Sequence, residues 1–178
     1  MFLGLTELQH HKIDFDVVYR PGEIQLSPDL SQETDLHVVG SAELLRNTLG
    51  EIRVRGDLET SVMTPCDRCL EPSHLPIHQD FDLFYRPLPK GEGHHEHRIA
   101  EGEVDLSFYT GNGLQLEDVV REFILLQVPM QVFCRETCRG ICPVCVEDRN
   151  SVSCECVSPP ADDRWLALKE YQAREQAK

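Results

Sequence analysis

The chain has 178 residues, 40% of them hydrophobic, which suits one globular domain or one domain with a small appended module. Its 31 acidic against 17 basic residues leave a net charge of −14, which argues against a grip on naked nucleic acid: that depends on Lys and Arg displacing counterions from phosphate. No run reaches the roughly 18 consecutive apolar residues of a membrane span, and the start, Met-Phe-Leu-Gly-Leu-Thr-Glu-Leu, lacks a signal peptide's basic n-region and long apolar stretch.

In chain order, Lys12 to Tyr19 alternates apolar and polar residues and predicts a strand, and Leu36 to Leu45 predicts a second. A longer alternation follows, with Ile52, Val54, Leu58 and Val62 on one face and Gly56 as an expected bulge or turn. It runs into Pro65-Cys66-Asp67-Arg68-Cys69, a tight reversal, and out again through Leu75 to Tyr85. This pattern predicts an antiparallel meander with a cysteine pair at one hairpin tip. From Pro87 to Gly102, prolines and glycines surround a polar run holding His94, His95 and His97, which reads as a loop rather than a site. A short strand, Val104 to Tyr109, and the turn Gly111-Asn112-Gly113 come next.

Leu116, Val119, Val120, Phe123 and Ile124 recur at helical spacing, so a helix is predicted over Leu116 to Val128, with Glu117 and Asp118 at its N-terminal end and Pro129 closing it. Its apolar stripe reads as core packing. Beyond Pro159-Pro160, Asp162 or Asp163 caps a last predicted helix running through Trp165, Leu168 and Tyr171, with Trp165 expected as its anchor. The predicted fold class is α+β: an antiparallel sheet packed by one or two helices, with a cysteine-rich zinc-knuckle module near the C-terminus. The boundary falls between a core over 1–130 and that module over 131–178, integrated as one domain.

Eight cysteines carry the chemistry: Cys66 and Cys69, then Cys134, Cys138, Cys142, Cys145, Cys154 and Cys156. Zinc takes four thiolates in a closed tetrahedron, and short C-x2-C and C-x3-C pairs present them two at a time. Eight thiols in four pairs point to one or two structural zinc ions. The simplest partition joins Cys142 and Cys145 with Cys154 and Cys156, and clamps Cys134 and Cys138 to Cys66 and Cys69 across the fold. The alternative closes a site from Cys134, Cys138, Cys142 and Cys145, leaving Cys66 and Cys69 as a dithiol; spacing alone does not choose. Catalytic zinc needs an open position and a motif such as H-E-x-x-H, and none is present, nor is a G-x-S-x-G or a phosphate-cradling glycine loop. The rival is a thiol-redox or metal-handling role for Cys66 and Cys69, but thiol exchange favours a helix N-terminus and this pair sits between strands. Arg135, Arg139 and Arg149 among the later cysteines, and Arg46, Arg53 and Arg55 upstream, read as solvated surface charges.

Taken together, Cys66-Asp-Arg-Cys69 at a strand turn, the helix ending at Pro129, the segment Cys134 to Cys145 and the ending Asp162-Asp163-Arg164-Trp165 resemble the bacterial YceD family over nearly the whole chain. The resemblance implies a role in the accumulation of large-subunit ribosomal RNA, with zinc as a staple of the fold rather than its active element. One departure is visible: the family's second knuckle reads C-P-x-C-G, and here Val146 stands where that glycine would be. A β-branched residue resists positive φ, so altered geometry at the Cys142–Cys145 site is expected. With its acidity, the expected protein is a non-enzymatic cytoplasmic factor whose partner is a basic ribosomal protein or a pre-large-subunit particle, not a membrane.

Overall fold

The computed structural model describes residues 1–88 and 106–157, together with Trp165 and Tyr171. Among these residues the chain forms, in order, β1 (Phe2–Gly4), α1 (Leu5–Leu8), β2 (Ile13–Tyr19), β3 (Ser31–Gln32), β4 (Leu36–Leu44), β5 (Ile52–Pro65), β6 (Pro72–Pro87), β7 (Leu106–Tyr109), β8 (Gly113–Gln115) and α2 (Leu116–Gln127). The main sheet has the order β2-β4-β5-β6-β7, with β3 also pairing β5; β1 and β8 make a separate two-stranded ribbon. The fold is α+β and mostly antiparallel. The exception is β7, which pairs β6 in parallel, Phe84 opposite Leu106 to Pro87 opposite Tyr109.

Alternation explains the sheet. Along β5, Ile52, Val54, Leu58, Thr60 and Val62 are buried, while Arg55, Asp57, Glu59 and Met63 face solvent. β2 and β4 repeat the pattern, with Ile13, Phe15, Leu36 and Val38 inward. Against this inner face lies α2, burying Leu116, Val119, Val120 and Ile124, with Phe123 tilted against Phe81 at 5.3 Å between ring centroids. These side chains join those of the sheet in one continuous apolar core, whose removal from water favours the fold.

Gly56 is not a bulge. It sits in unbroken register opposite Gly40 on one side and Phe81 on the other. A Cβ on Gly56 would strike the Val39 carbonyl oxygen and the Phe81 ring, and one on Gly40 would strike the Phe15 ring. The two glycines therefore make room for aromatic rings on the inner face. β6 is longer than its alternation suggests, because Pro72 to His74 continue the ladder with Met63 to Pro65 up to the hairpin tip. Trp165, expected to anchor the last helix, is 60% exposed. The remainder of that helix, Val104 at the start of the expected strand, and His94, His95 and His97 lie outside the described residues.

Candidate metal centre

The tip between β5 and β6 folds around its own backbone. The Cys66 N–H donates to the Glu71 carbonyl at 2.9 Å, and the Leu70 N–H donates to the Cys66 carbonyl at 2.9 Å. The Cys142 turn repeats both bonds: Cys142 N–H to the Glu147 carbonyl at 2.9 Å and Val146 N–H to the Cys142 carbonyl at 3.0 Å. Leu70 and Val146 occupy the same place after the second cysteine, at φ 64° and 63°. Behind this lies a repeat that motif reading missed, Cys-x-x-Cys-Leu-Glu at 66–71 and Cys-x-x-Cys-Val-Glu at 142–147. Val146 thus adopts the left-handed conformation that a glycine would adopt without strain.

The thiols gather into two groups: Cys66, Cys69, Cys134 and Cys138, and Cys142, Cys145, Cys154 and Cys156, each with its sulfurs within 4.8 Å of one another. The grouping is the local partition, with the first pair reaching across the fold. All eight are free thiols. In the first group Cys66 Sγ lies 3.9 Å from Cys138 Sγ, and Cys69 Sγ lies 3.6 Å from Cys134 Sγ. A zinc ion with Zn–S bonds of about 2.3 Å sets a tetrahedral edge of about 3.8 Å between sulfurs. A disulfide would need about 2.05 Å. The sulfur spacing and the all-thiol donor set are compatible with a bound metal ion.

Local electrostatics point the same way. Burial disfavours a thiolate at Cys66, but the N–H groups of Cys134, Arg68 and Cys69 outweigh it and bring that thiol down to about 6. At Cys142 the N–H groups of Cys145 and Val144 do the same, also to about 6. Their neighbours move the other way. At Cys69 the Glu71 N–H favours the thiolate, yet burial and the surrounding thiols push it up to about 12; at Cys156 the adjacent Cys145 thiol and then burial raise it to about 12. Cys138 is lowered as well, by the Asn150 side-chain N–H, while burial raises Cys134 and the adjacent Cys142 thiol raises Cys154. A divalent cation is what allows four thiolates to coexist.

The segment after α2 is held to the hairpin tip by backbone and side-chain bonds around Asp67 and Arg68. Asp67 N–H donates to the Val132 carbonyl at 2.9 Å, and Val132 N–H donates to Asp67 Oδ2 at 2.6 Å. The Arg68 guanidinium stacks 4.0 Å from the Phe133 ring centroid and donates to the Cys138 carbonyl at 3.1 Å. The Arg68 carbonyl in turn accepts from Ile141 N–H at 2.9 Å. Gly140 permits this approach: at φ 69°, a Cβ there would sit 2.8 Å from the Arg68 carbonyl oxygen. Asn150 braces the first group, donating from Nδ2 to Cys138 Sγ at 3.4 Å while Oδ1 accepts from Arg139 N–H at 2.8 Å. Sequence reading named none of Arg68, Phe133, Gly140 or Asn150 for these roles; only the Gly140 position carried a signal, as a glycine two residues past a cysteine. The first group is largely buried, with Cys134 exposed, whereas in the second only Cys142 is buried. Arg135, Arg139 and Arg149 are exposed as expected, but Arg53 is bidentate to Asp82 at 2.8 and 2.6 Å.

Fold and site define a class: an α+β protein with a mostly antiparallel sheet and two tetracysteine clusters, one built on a hairpin tip. The chain belongs to the YceD family, whose model, described as large ribosomal RNA subunit accumulation protein YceD, matches residues 54–171. It is also similar to a Bacillus subtilis (strain 168) protein described as uncharacterized protein YlbN, 24% identical over 168 residues that cover 93% of this chain and 91% of that one. No solved structure matches the chain at a significant level. The family description supports a role in ribosome biogenesis. Among the described residues, no helix is long and apolar enough to cross a membrane.

Proposed function

We propose that this protein is a non-enzymatic cytoplasmic factor for the accumulation of large-subunit ribosomal RNA. It acts by holding a basic ribosomal protein or a pre-large-subunit particle. The observation that carries the reading is the family match, which spans β5 from Val54 onward, β6, β7, α2 and all eight cysteines. The net charge of −14 supports a basic partner over naked RNA. In this reading Cys66, Cys69, Cys134 and Cys138 hold one zinc ion, and Cys142, Cys145, Cys154 and Cys156 hold a second. When bound, zinc supplies a closed structural crosslink that welds the cysteine module to the sheet as one unit. Affinity purification from lysate, with and without RNase, tests the role. Large-subunit precursors or their proteins are expected, with the protein partner surviving RNase; recovery of the zinc-loaded protein alone would overturn it.

A redox reading has one observation in its favour, the Cys66 thiol at about 6. Cys66 is, however, 0% exposed, which denies a disulfide substrate access to it. The double change Cys66→Ser with Cys69→Ser separates the two. Under the staple reading, stability and metal content fall together; under the redox reading the fold persists and only thiol exchange disappears.

A further inference from the structure

We infer that the solvent face of β2, β4, β5 and β6 is a docking surface for a lysine- and arginine-rich protein segment, an inference that rests on the proposed role and names the surface it uses. One face of this sheet packs on the core with α2; on the other face Asp16, Val39, Asp57 and Asp80 are exposed. Across its middle, register aligns Asp16, Val39, Asp57 and Asp80 in one row over four strands. Glu59 lies in the row beside it and Asp82 in the row on its other side.

Two cations near this face are engaged: Arg53 is bonded to Asp82, and Lys12 pairs with Asp14 at 2.7 Å. Arg55, exposed and opposite Asp82 in the row beside Asp57, has no ion pair among the described residues, so the face carries more carboxylates than cations but is not free of positive charge. In the middle row, Asp16 has His37 at 2.7 Å and Asp57 has His78 at 3.9 Å; among the described residues Asp80 in that row and Glu59 in the next have no ion pair. Asp57 and Asp80 stand directly opposite each other on β5 and β6, an arrangement of like charges that destabilises a sheet. A cationic partner would relieve that repulsion.

Shape and chemistry choose the partner. The row crosses three strand spacings, about 14 Å, too wide for one small ion and suited to several cations on one segment. Val39 and Val18 are 42% and 52% exposed, and such apolar patches accept the methylene stems of Lys and Arg beside carboxylates that take their heads. Nucleic acid would meet repulsion on this face.

The test uses a fluorescein-labelled peptide of alternating lysine and alanine with the full-length protein. Three forms are compared: wild type, Asp16→Asn/Asp57→Asn/Asp80→Asn, and a control with the same loss of charge elsewhere, Glu136→Gln/Glu147→Gln/Glu155→Gln. The face variant is expected to lose about tenfold in affinity, with its melting temperature kept or raised, while the control changes less than about twofold. Amide shifts on peptide addition are expected along β4, β5 and β6. Equal weakening of both variants, or shifts centred elsewhere, would overturn the inference. The same proteins are then co-sedimented with pre-large-subunit particles. Release of the face variant alone supports the surface. Equal pelleting of wild type and face variant overturns the surface and leaves the proposed role standing; failure of wild type to pellet overturns that role and the inference with it.

Discussion

Val146 sits at φ 63° with its side chain 71% exposed, so it bears the crowding of a left-handed β-branched residue and gains little from packing. The turn imposes the conformation, because Val146 N–H must reach the Cys142 carbonyl and Cys142 N–H the Glu147 carbonyl around the same sulfur. Left-handed backbone costs a non-glycine residue roughly 1–2 kcal/mol. Val146→Gly is therefore expected to raise stability by about 1 kcal/mol in urea unfolding of the metal-saturated protein. A lowered midpoint would mean that the valine makes a contact worth more than its strain. Gly140→Ala is the converse. Its φ of 69° and the Arg68 carbonyl 2.8 Å from an added Cβ give the methyl no room. A loss of about 2–3 kcal/mol is expected, accompanied by weaker metal retention in a chelator competition. Both effects come from backbone geometry around sulfur, and neither requires a change of ligand.

The elements around the clusters differ in what holds them. The sheet and α2 share a continuous apolar core, whereas Cys66, Cys69 and Cys138 form a small separate one with Phe133 against it. Removing metal with a strong chelator is expected to raise hydrogen exchange over 132–150 by at least about tenfold while β2, β4 and β5 keep their protection. Equal loss of protection in the sheet would show that the clusters support the whole fold. The same division explains what was legible. The helix over Leu116–Gln127 and the alternation of β2, β4 and β5 were readable because burial on one face imposes a period on the sequence. The parallel pairing of β7 with β6 was not, since nothing local in Leu106–Tyr109 records the direction in which the chain returns to the preceding strand. β1, α1 and β3, of two to four residues each, are too short to show a period, and tertiary contacts decide them. Gly56 misled because a glycine in a strand usually marks a bulge, and the ring it accommodates belongs to another strand. For the cysteines, spacing gave the pairs, but which pairs meet depended on where β5 and β6 end.

For the whole molecule, charge sets the response to acid. Several carboxyls are held below the usual range by specific partners: Asp82 by the hydrogen-bonded Arg53 guanidinium, Asp148 by the Asn150 N–H, and Glu33 by His74 and then Ser61. A carboxyl whose folded pKa is depressed contributes stability that is present above its unfolded value, 3.8 for Asp and 4.5 for Glu, and lost as pH falls through the folded one. Stability attributable to these groups should hold from pH 7 to about pH 5 and decline below about pH 4. Asp82→Asn isolates one of them. At pH 7 the variant loses the bidentate pair with Arg53, a small effect because both side chains are solvated. Below the folded pKa of Asp82 the native carboxyl is itself neutral, so the two proteins should converge. The check is a pair of urea midpoints measured from pH 7 down to pH 2.5, both proteins metal-saturated at each pH where metal is retained. A gap between variant and parent that closes on acidification assigns the stabilisation to the ion pair. A gap that persists unchanged would assign it instead to the packing of the Arg53 guanidinium against Phe84, 5.5 Å from the ring centroid, which the substitution would have disturbed at every pH.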